Sequence, residues 1–266
     1  MADQTAAFLA TNPVFSLGEA IRALTPEQGS EAARKRLKWA ATKGRVKRIA
    51  RGFFASVPPG LRADRFEPDR YLVAAALRPD AVFAYHAGFE LLGAAHSDWN
   101  RCIVFTEGPR RPLDLGSVRI EFLLTPSAFR GRPMVLGLRS VDRDNRTLRV
   151  TGPERTLLDA LRHPDLAGGL SEAMESAAGF GVLDLELLHR LLEIYSEKRL
   201  WAATGWFLER FQRTFFVPEA LLAKFEGHRS DGRQYLVRRQ RGGTLVSRWN
   251  LIVPKDVDRF GDPSER

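Results

Sequence analysis

The amino-acid sequence predicts an α+β fold, in which helices and strands occupy partly separate stretches of the chain. Three observations support this class. Apolar residues recur at helical spacing within residues 30–43 and 184–195, and the segment 118–124 has the composition of a strand. Between 100 and 150 the strand signals follow one another without the regular alternation with helices that a parallel α/β fold requires.

The N-terminal segment predicts three helices and a hairpin. Residues 3–10 form a weak first helix. Ser16, followed three positions later by Glu19, is a capping box that opens a second helix. Ser30 is expected to cap a third helix, which Gly44 ends. Beyond Gly44 the period falls to two, which predicts a hairpin with strands at 46–49 and 53–55 and a turn at 50–52.

The predicted third helix has one apolar face and one cationic face. Its apolar stripe comprises Ala33, Leu37, Ala40 and Ala41, and its opposite face carries Lys35, Lys38, Trp39 and Thr42, with Arg34 and Arg36 at the flanks. A helix of this kind followed by a cationic hairpin is typical of a winged helix-turn-helix. The sequence therefore predicts that the chain binds double-stranded DNA.

The predicted DNA-contacting residues lie on this helix and hairpin. They are Arg34, Lys35, Lys38, Thr42, Lys47, Arg48 and Arg51. Lysine and arginine on a helix in the major groove gain charge-assisted hydrogen bonds to phosphate and release counterions, and Arg34 or Lys38 also suits the edge of guanine. The hairpin cations are expected to contact the adjacent backbone or minor groove. For Trp39, packing under the hairpin or against a second domain is favoured over contact with a base.

Charge is distributed unevenly along the 266 residues. The formal net charge is +9, of which +6 falls within residues 1–56 and +3 on the remainder. A basic module joined to a nearly neutral body indicates a polyanionic partner at one end of the chain. The alternative is that lysine and arginine serve here only as soluble helix formers.

The chain is expected to contain two domains. Residues 1–57 form the winged helix-turn-helix, residues 58–67 form a linker that begins with Pro58-Pro59-Gly60, and residues 68–266 form a larger α+β domain. In the larger domain, helices are expected at 68–78, 84–92, from 151 through 161, 170–178, 184–195, 200–213 and 218–225. Strands are expected at 102–105, 118–124, once or twice within 135–150, 234–239 and 244–253.

Several classes of protein are disfavoured. Cys102 is the single cysteine, so neither an intrachain disulfide nor a thiolate zinc site is possible. The start of the sequence has no signal-peptide pattern, and no apolar run approaches the ~18–20 residues that span a bilayer. A cytoplasmic protein without membrane contact, metal or cofactor is expected.

One enzymatic pattern requires comparison. Gly168-Gly169-Leu170-Ser171, with Asp184 and Glu186 downstream, resembles the signature of nucleotidyltransferases. The two carboxylates fall in a helical segment, where side chains two residues apart diverge by roughly 200°. Asp184 is better interpreted as a helix N-cap. The five histidines have no metal-binding spacing and there is no phosphate-binding glycine loop, so the sequence predicts that the protein is not an enzyme.

Three segments together resemble one family. They are Gly44–Ala55, Tyr85–Gly93 and Thr151–Asp159, the last of which contains Pro-Glu-Arg-Thr-Leu-Leu-Asp. This order resembles the AbiEi family, the antitoxins of type IV abortive-infection toxin–antitoxin systems. The resemblance implies an N-terminal winged helix-turn-helix and a C-terminal antitoxin domain, autorepression of an operon through promoter repeats, and neutralisation of a nucleotidyltransferase toxin.

The sequence departs from the family at 85–88, where Tyr-His-Ala-Gly replaces a start with small residues such as serine and alanine. Glu154, Arg155, Thr156 and Asp159 are interpreted as a capped helix with local salt links rather than as catalytic groups. Two alternatives stay open. One is a stand-alone regulator whose second domain senses a ligand or dimerises, and the other is a nucleic-acid enzyme that a winged helix targets.

Overall fold

A computed structural model describes residues 2–131, 135–238, 242–255 and 257. The N-terminal unit consists of α1 (Ala2–Thr11), β1 (Val14–Ser16), α2 (Leu17–Leu24), α3 (Gly29–Thr42), β2 (Val46–Ala50) and β3 (Phe53–Ser56). Its strands form an antiparallel sheet in the order β1-β3-β2. The three helices and the hairpin expected from the sequence are present, and β1 is an additional strand that the sequence did not predict.

Two capping predictions in this unit have different outcomes. The capping box at α2 is confirmed, since Ser16 accepts a hydrogen bond from the Glu19 amide and the Glu19 side chain accepts one from the Ser16 amide. The prediction that Ser30 caps α3 is wrong. The Thr25 carbonyl already accepts hydrogen bonds from the amides of Gln28 and Gly29, so the turn winds directly into α3 and Gln28 occupies the N-cap position.

Gly44 ends α3, as its position predicts. The Gly44 amide donates to the Ala41 carbonyl and the Arg45 amide to the Ala40 carbonyl, which is a Schellman motif. This motif needs a residue with positive φ, and Gly44 has a φ of +68°. The chain therefore leaves α3 in a fixed direction and enters β2 two residues later.

The second unit begins after a segment without helix or strand, residues 57–69. Its elements up to residue 151 are α4 (Arg70–Leu77), β4 (Val82–Phe83), α5 (His86–Leu91), β5 (Arg101–Thr106), β6 (Leu113–Leu115), β7 (Val118–Leu124), β8 (Leu138–Arg143) and β9 (Arg146–Thr151). These strands form one mixed sheet in the order β6-β7-β5-β4-β9-β8.

The rest of the chain is mainly helical. It contains α6 (Pro153–Arg162), α7 (Leu170–Ala178), α8 (Leu185–Tyr195), α9 (Lys198–Arg210), α10 (Glu219–Glu226) and a small sheet of β10 (Gln234–Tyr235), β11 (Thr244–Val246) and β12 (Leu251–Val253). The whole is an α+β fold, as expected. Among the described residues, no helix has the length and apolar character needed to cross a bilayer.

Two apolar clusters cover the two faces of the six-stranded sheet. On one face, Ile103 and Phe105 of β5 pack into a cluster supplied mainly by α6 to α9. On the other face, Cys102 and Val104 pack against α4, since successive strand side chains alternate between faces. Both faces are therefore buried, which explains why β5 is a continuous apolar run.

The N-terminal unit packs on this second face instead of standing apart from it. Val14 and Ala55 belong to the same apolar cluster as α4, and Ile49 and Phe53 pack against that cluster. Arg146 strengthens the contact by donating to the carbonyl of Val14 at 3.0 Å. The other face of the small N-terminal sheet supplies that unit's own core, which includes Phe15, Leu24, Leu37 and Val46.

Some expectations for the second unit need correction. The predicted capping box at Thr151 is wrong: Gly152 is the N-cap of α6, and the Thr151 hydroxyl instead contacts the Thr156 hydroxyl at 2.7 Å. The predicted strand 244–253 is two strands, interrupted by a 3-10 turn at Ser247–Trp249. In the predicted strand 234–239 only Gln234–Tyr235 is extended, and residue 239 lies outside the described residues.

Candidate nucleic-acid interface

The face of α3 that points away from the protein carries positive charge. Ala33, Leu37 and Ala40 are buried against the N-terminal core. Arg34 and Lys38 are exposed on the remaining surface. The apolar stripe of the sequence is thus buried at these three positions, whereas Ala41, which was predicted in the same stripe, is exposed.

Three of the predicted DNA-contacting residues meet at one place. Arg34 of α3, Arg48 of β2 and Arg51 of the hairpin turn line a surface depression of about 510 Å³. Its other lining residues are Leu17, Gly52 and Phe54, so no carboxylate of the described chain lines it. We call this feature the arginine depression. Guanidinium groups are geometrically matched to anions with several oxygens, such as phosphate.

The backbone fixes the hairpin beside α3. The Leu17 amide at the start of α2 donates to the Gly52 carbonyl at 2.7 Å. Gly52 itself has a φ of +79°, which a tight hairpin turn requires. Phe54 stacks on Phe15 in the core, with ring centroids 5.8 Å apart. The turn that carries Arg51 is therefore held by both a hydrogen bond and an aromatic contact.

The other helix residues predicted to contact DNA are placed differently. Lys35 pairs with Glu31 at 3.1 Å, and both side chains are largely exposed, at 78% and 82%. A pair this exposed contributes little to stability and separates at low cost when a phosphate competes. The Thr42 hydroxyl donates to the Trp39 carbonyl at 2.7 Å, so its proton is already engaged within α3.

Lys47 is a correction to the predicted site. Its Nζ donates to the carbonyl of Phe66 at 2.5 Å, in the segment that leads to the second unit. Arg48 points to the opposite face of β2, because adjacent strand residues alternate. Lys47 consequently joins the two units of the protein and does not line the arginine depression.

Trp39 also differs from its expected position. The residue is 53% exposed, so it is not buried under the hairpin or against the second unit. Arg36, which the sequence placed at the flank of the cationic face, turns back and donates to the Leu24 carbonyl at 2.7 Å. Leu17 and Phe54, which form walls of the depression, were missed because no charge or spacing marks them.

Two carboxylates of the second unit, Asp184 and Glu154, have structural partners. The Asp184 side chain accepts a hydrogen bond from the Leu187 amide at 2.9 Å and so caps α8, as predicted. Glu154 accepts from the Asp184 amide at 2.8 Å. Within the part of the chain that the structure describes, no group of three or more histidine, cysteine or acidic side chains is placed to hold a metal ion.

The segment Pro153–Asp159 forms the buried first turns of α6. Asp159 accepts a hydrogen bond from the Tyr195 hydroxyl at 2.5 Å, and Arg155 Nε lies 3.9 Å from the second carboxylate oxygen. Burial raises the pKa of Asp159, while Arg155 and the Tyr195 hydroxyl oppose that rise. Arg155 lies over the ring of Phe129, 3.8 Å from its centroid. These links extend to α8 and to residues before α6, and are not confined to one helix.

Comparison with known proteins gives a likeness in fold. No protein-family profile matches the chain, and no curated protein matches it. Among solved structures, the Rv2827c protein of Mycobacterium tuberculosis is similar over 95% of this chain and 90% of its own, with a TM-score of 0.62 and 17% sequence identity. At this identity the likeness concerns the fold alone, and it supports the α+β class over nearly the whole chain.

Proposed function

We propose that the N-terminal unit is a winged helix-turn-helix that binds double-stranded DNA, with α3 in the major groove and the arginine depression on the phosphate backbone. The observation that carries the proposal is the meeting of Arg34, Arg48 and Arg51 from two elements around one concave surface whose described lining has no carboxylate. With cations of α3 and of the hairpin on a common surface, the helix can enter the major groove while the hairpin contacts the phosphates at the edge of that groove.

The hairpin supplies a test with an internal control. Replacing Arg48 and Arg51 together by alanine should weaken binding to duplex DNA at least tenfold, about equally for a duplex from the region upstream of the gene and for a random duplex. The loss is equal because phosphate contacts position the protein without reading sequence. Lys47→Ala is the control, since Lys47 lies in the same hairpin but donates to Phe66.

Fluorescence anisotropy with labelled duplexes measures both affinities. The proposal fails if Lys47→Ala weakens binding as much as the double variant does, because the arginine depression would then have no special role. A loss confined to the upstream duplex would mean that the hairpin reads bases, which contradicts the assignment of Arg48 and Arg51 to the backbone.

We further propose that the protein is an antitoxin and autorepressor, as its resemblance to the AbiEi family implies, and that the second unit binds a nucleotidyltransferase toxin rather than acting as a catalyst. Large apolar side chains on the second unit offer contacts for a protein partner. Phe216 is 86% exposed and Val182 is 78% exposed. Aromatic side chains such as Phe216 are enriched where proteins meet.

The toxin proposal is tested with the full chain. The double variant of Arg48 and Arg51 should still rescue growth of cells that express a toxin encoded beside the gene, because those residues lie outside the second unit. Loss of rescue in a stable variant would contradict this division of roles. If no toxin gene lies beside the gene for this protein and the protein still binds DNA, the alternative of a stand-alone regulator would be favoured.

A further inference from the structure

Residues of the N-terminal unit and of the second unit together line a cleft. Its volume is about 470 Å³. Ser16 lines this cleft while the next residue, Leu17, lines the arginine depression, so the two concave surfaces lie on either side of the start of α2. Arginines from three separate stretches line the cleft, namely Arg22, Arg78, Arg146 and Arg149. We call this feature the inter-unit cleft.

The arginines of the inter-unit cleft are not all balanced by carboxylates. Arg146 pairs with Glu19 at 2.9 Å, and Arg78 pairs with Asp80. Among the described residues, neither Arg22 nor Arg149 forms an ion pair. Arg149 uses one N–H group to donate to the Pro79 carbonyl at 2.9 Å. Two exposed arginines that line the same cleft therefore carry positive charge without an ion-pair partner among the described residues.

The remaining lining of the cleft mixes polar and apolar side chains. Ser16, Glu19 and Thr147 line it, together with the half-buried Ala75 and Ala76. The combination of guanidinium groups with alanine, serine and threonine side chains suits a ligand with an anionic group and a body that carries both apolar and polar atoms. Small-molecule sites have volumes of about 300–1,000 Å³, and the cleft falls in this range.

We propose that the inter-unit cleft binds a small molecule that bears a phosphate group and has the size of a mononucleotide. Arg22 and Arg149 bind the phosphate oxygens, for which the guanidinium fork is geometrically matched. The alanine-lined surface contacts the body of the ligand. This site is separate from the DNA-binding surface proposed above, and its occupancy does not depend on DNA binding.

Occupancy of the cleft affects both units, because its walls come from both. Arg146, which lines the cleft, also holds Glu19 and the Val14 carbonyl of the N-terminal unit. A ligand that binds only the folded chain raises its unfolding temperature by mass action. Thermal unfolding is therefore a second readout beside direct binding.

Calorimetric titration of the full chain tests the proposal, with AMP, ATP and inorganic phosphate as probes and adenosine as the uncharged control. AMP or ATP should bind with one site per chain and raise the unfolding temperature, whereas adenosine should do neither. Changing Arg22→Ala and Arg149→Ala together should weaken binding at least tenfold. Replacing the exposed Arg190 and Arg213 together by alanine should leave the binding of AMP or ATP unaltered.

Three results would overturn the proposal. The first is no saturable binding of any phosphate probe up to a concentration of about 1 mM. The second is equal weakening by both double variants. The third is loss of duplex DNA affinity in the variant of Arg22 and Arg149 with no change in its affinity for the probes, which would make the cleft a contact for the DNA backbone. Variants of Arg48 and Arg51 test the DNA surface independently, so the two proposals can fail separately.

Discussion

At the scale of single residues, close packing leaves no room for a larger residue at some uncharged positions. Gly205 lies in α9 against the indole of Trp249, and a Cβ at this position would lie 2.2 Å from the ring. Trp249 is fully buried and its Nε1 donates to Glu209 at 2.7 Å, so the ring cannot move aside without losing that bond. The contact fastens the C-terminal strands to α9.

Gly205→Ala should therefore lower the free energy of unfolding by about 1–3 kcal/mol, the usual cost of forcing extra volume into a packed core. Urea unfolding followed by tryptophan fluorescence measures the change. Gly227→Ala is the matched control, because a Cβ there meets only ordinary contacts at 3.4 Å and beyond. Equal effects of the two substitutions would refute the role assigned to the contact with Trp249.

Asp80 predicts a dependence of stability on pH. Hydrogen bonds from Arg78, helped by the Glu107 amide and opposed by burial, lower the pKa of Asp80 to about 2. The unfolded chain binds this proton at higher pH, near about pH 4. The stabilisation that Asp80 provides is therefore complete above about pH 4 and is lost as the pH falls towards about 2.

Asp80→Asn should accordingly reduce stability at about pH 5 and have a smaller effect near about pH 2.5. Urea unfolding of both chains at the two pH values gives the comparison, and the exposed Asp98→Asn controls for removal of a carboxylate. A difference between the unaltered chain and Asp80→Asn that stays constant over this pH range would contradict the account of Asp80.

At the scale of elements, the junction between α3 and β2 sets the direction in which the hairpin leaves the helix. Gly44 adopts positive φ, and a Cβ at this position would have no atom within 4 Å, so only backbone conformation restricts the site. Gly44→Ala should lower the free energy of unfolding by roughly 1–2 kcal/mol, the cost of the left-handed conformation for an L-residue.

Thermal unfolding measures the effect of Gly44→Ala. Gly18→Ala serves as the control, because Gly18 lies in the first turn of α2 and a Cβ there meets only contacts of 3.6 Å or more. Alanine is favoured over glycine in a helix, so this control should keep or slightly raise stability. If Gly44→Ala is also neutral, the junction does not depend on positive φ.

Elements with a clear period or a clear stop signal are the ones that the sequence could predict. Strand 118–124 and helix 170–178 were predicted with the observed bounds, and Asp184 was correctly identified as a cap. Strands β1 and β4 have three and two residues, too few for a period to be visible. Both exist because a partner strand distant in sequence supplies their hydrogen bonds.

The candidate site was also only partly predictable, because contacts between residues distant in sequence decide which side chains line it. Charge and helical spacing identified Arg34, and hairpin chemistry identified Arg48 and Arg51. Lys47 carries the same charge in the same hairpin, but its direction is set by the carbonyl of Phe66, nineteen residues away. The number of cations in a segment thus predicts that a cationic surface exists. The alternation of strand side chains and the contacts between the two units decide which of those cations lie on it.

At the scale of the whole molecule, the N-terminal unit and the larger unit share an apolar cluster. Val14, Ala55 and Phe53 lose their packing partners when the chain is cut after residue 56. Burial of such side chains contributes about 25 cal/mol per Å² of apolar surface, so the isolated unit is expected to be less stable than the same unit in the full chain.

Hydrogen exchange of the α3 amides tests this expectation. Protection should be lower in a fragment of residues 1–56 than in the full chain, because the fragment exposes the face of the small sheet that packs on α4. Arg146→Ala in the full chain is the control for loss of the ion pair alone. Equal protection in fragment and full chain would mean that the unit is independent of the shared cluster.

The central claim, that the arginine depression binds the phosphate backbone of DNA, is tested most directly by the salt dependence of affinity. We expect the logarithm of the association constant to fall with the logarithm of salt concentration, and changing Arg34, Arg48 and Arg51 together to alanine should reduce that slope by about three, roughly one for each lost phosphate contact. Changing the exposed Arg139, Arg190 and Arg213 together to alanine removes the same charge elsewhere and should leave the slope unaltered. An unaltered slope in the first triple variant, or an equal reduction in both, would contradict the claim.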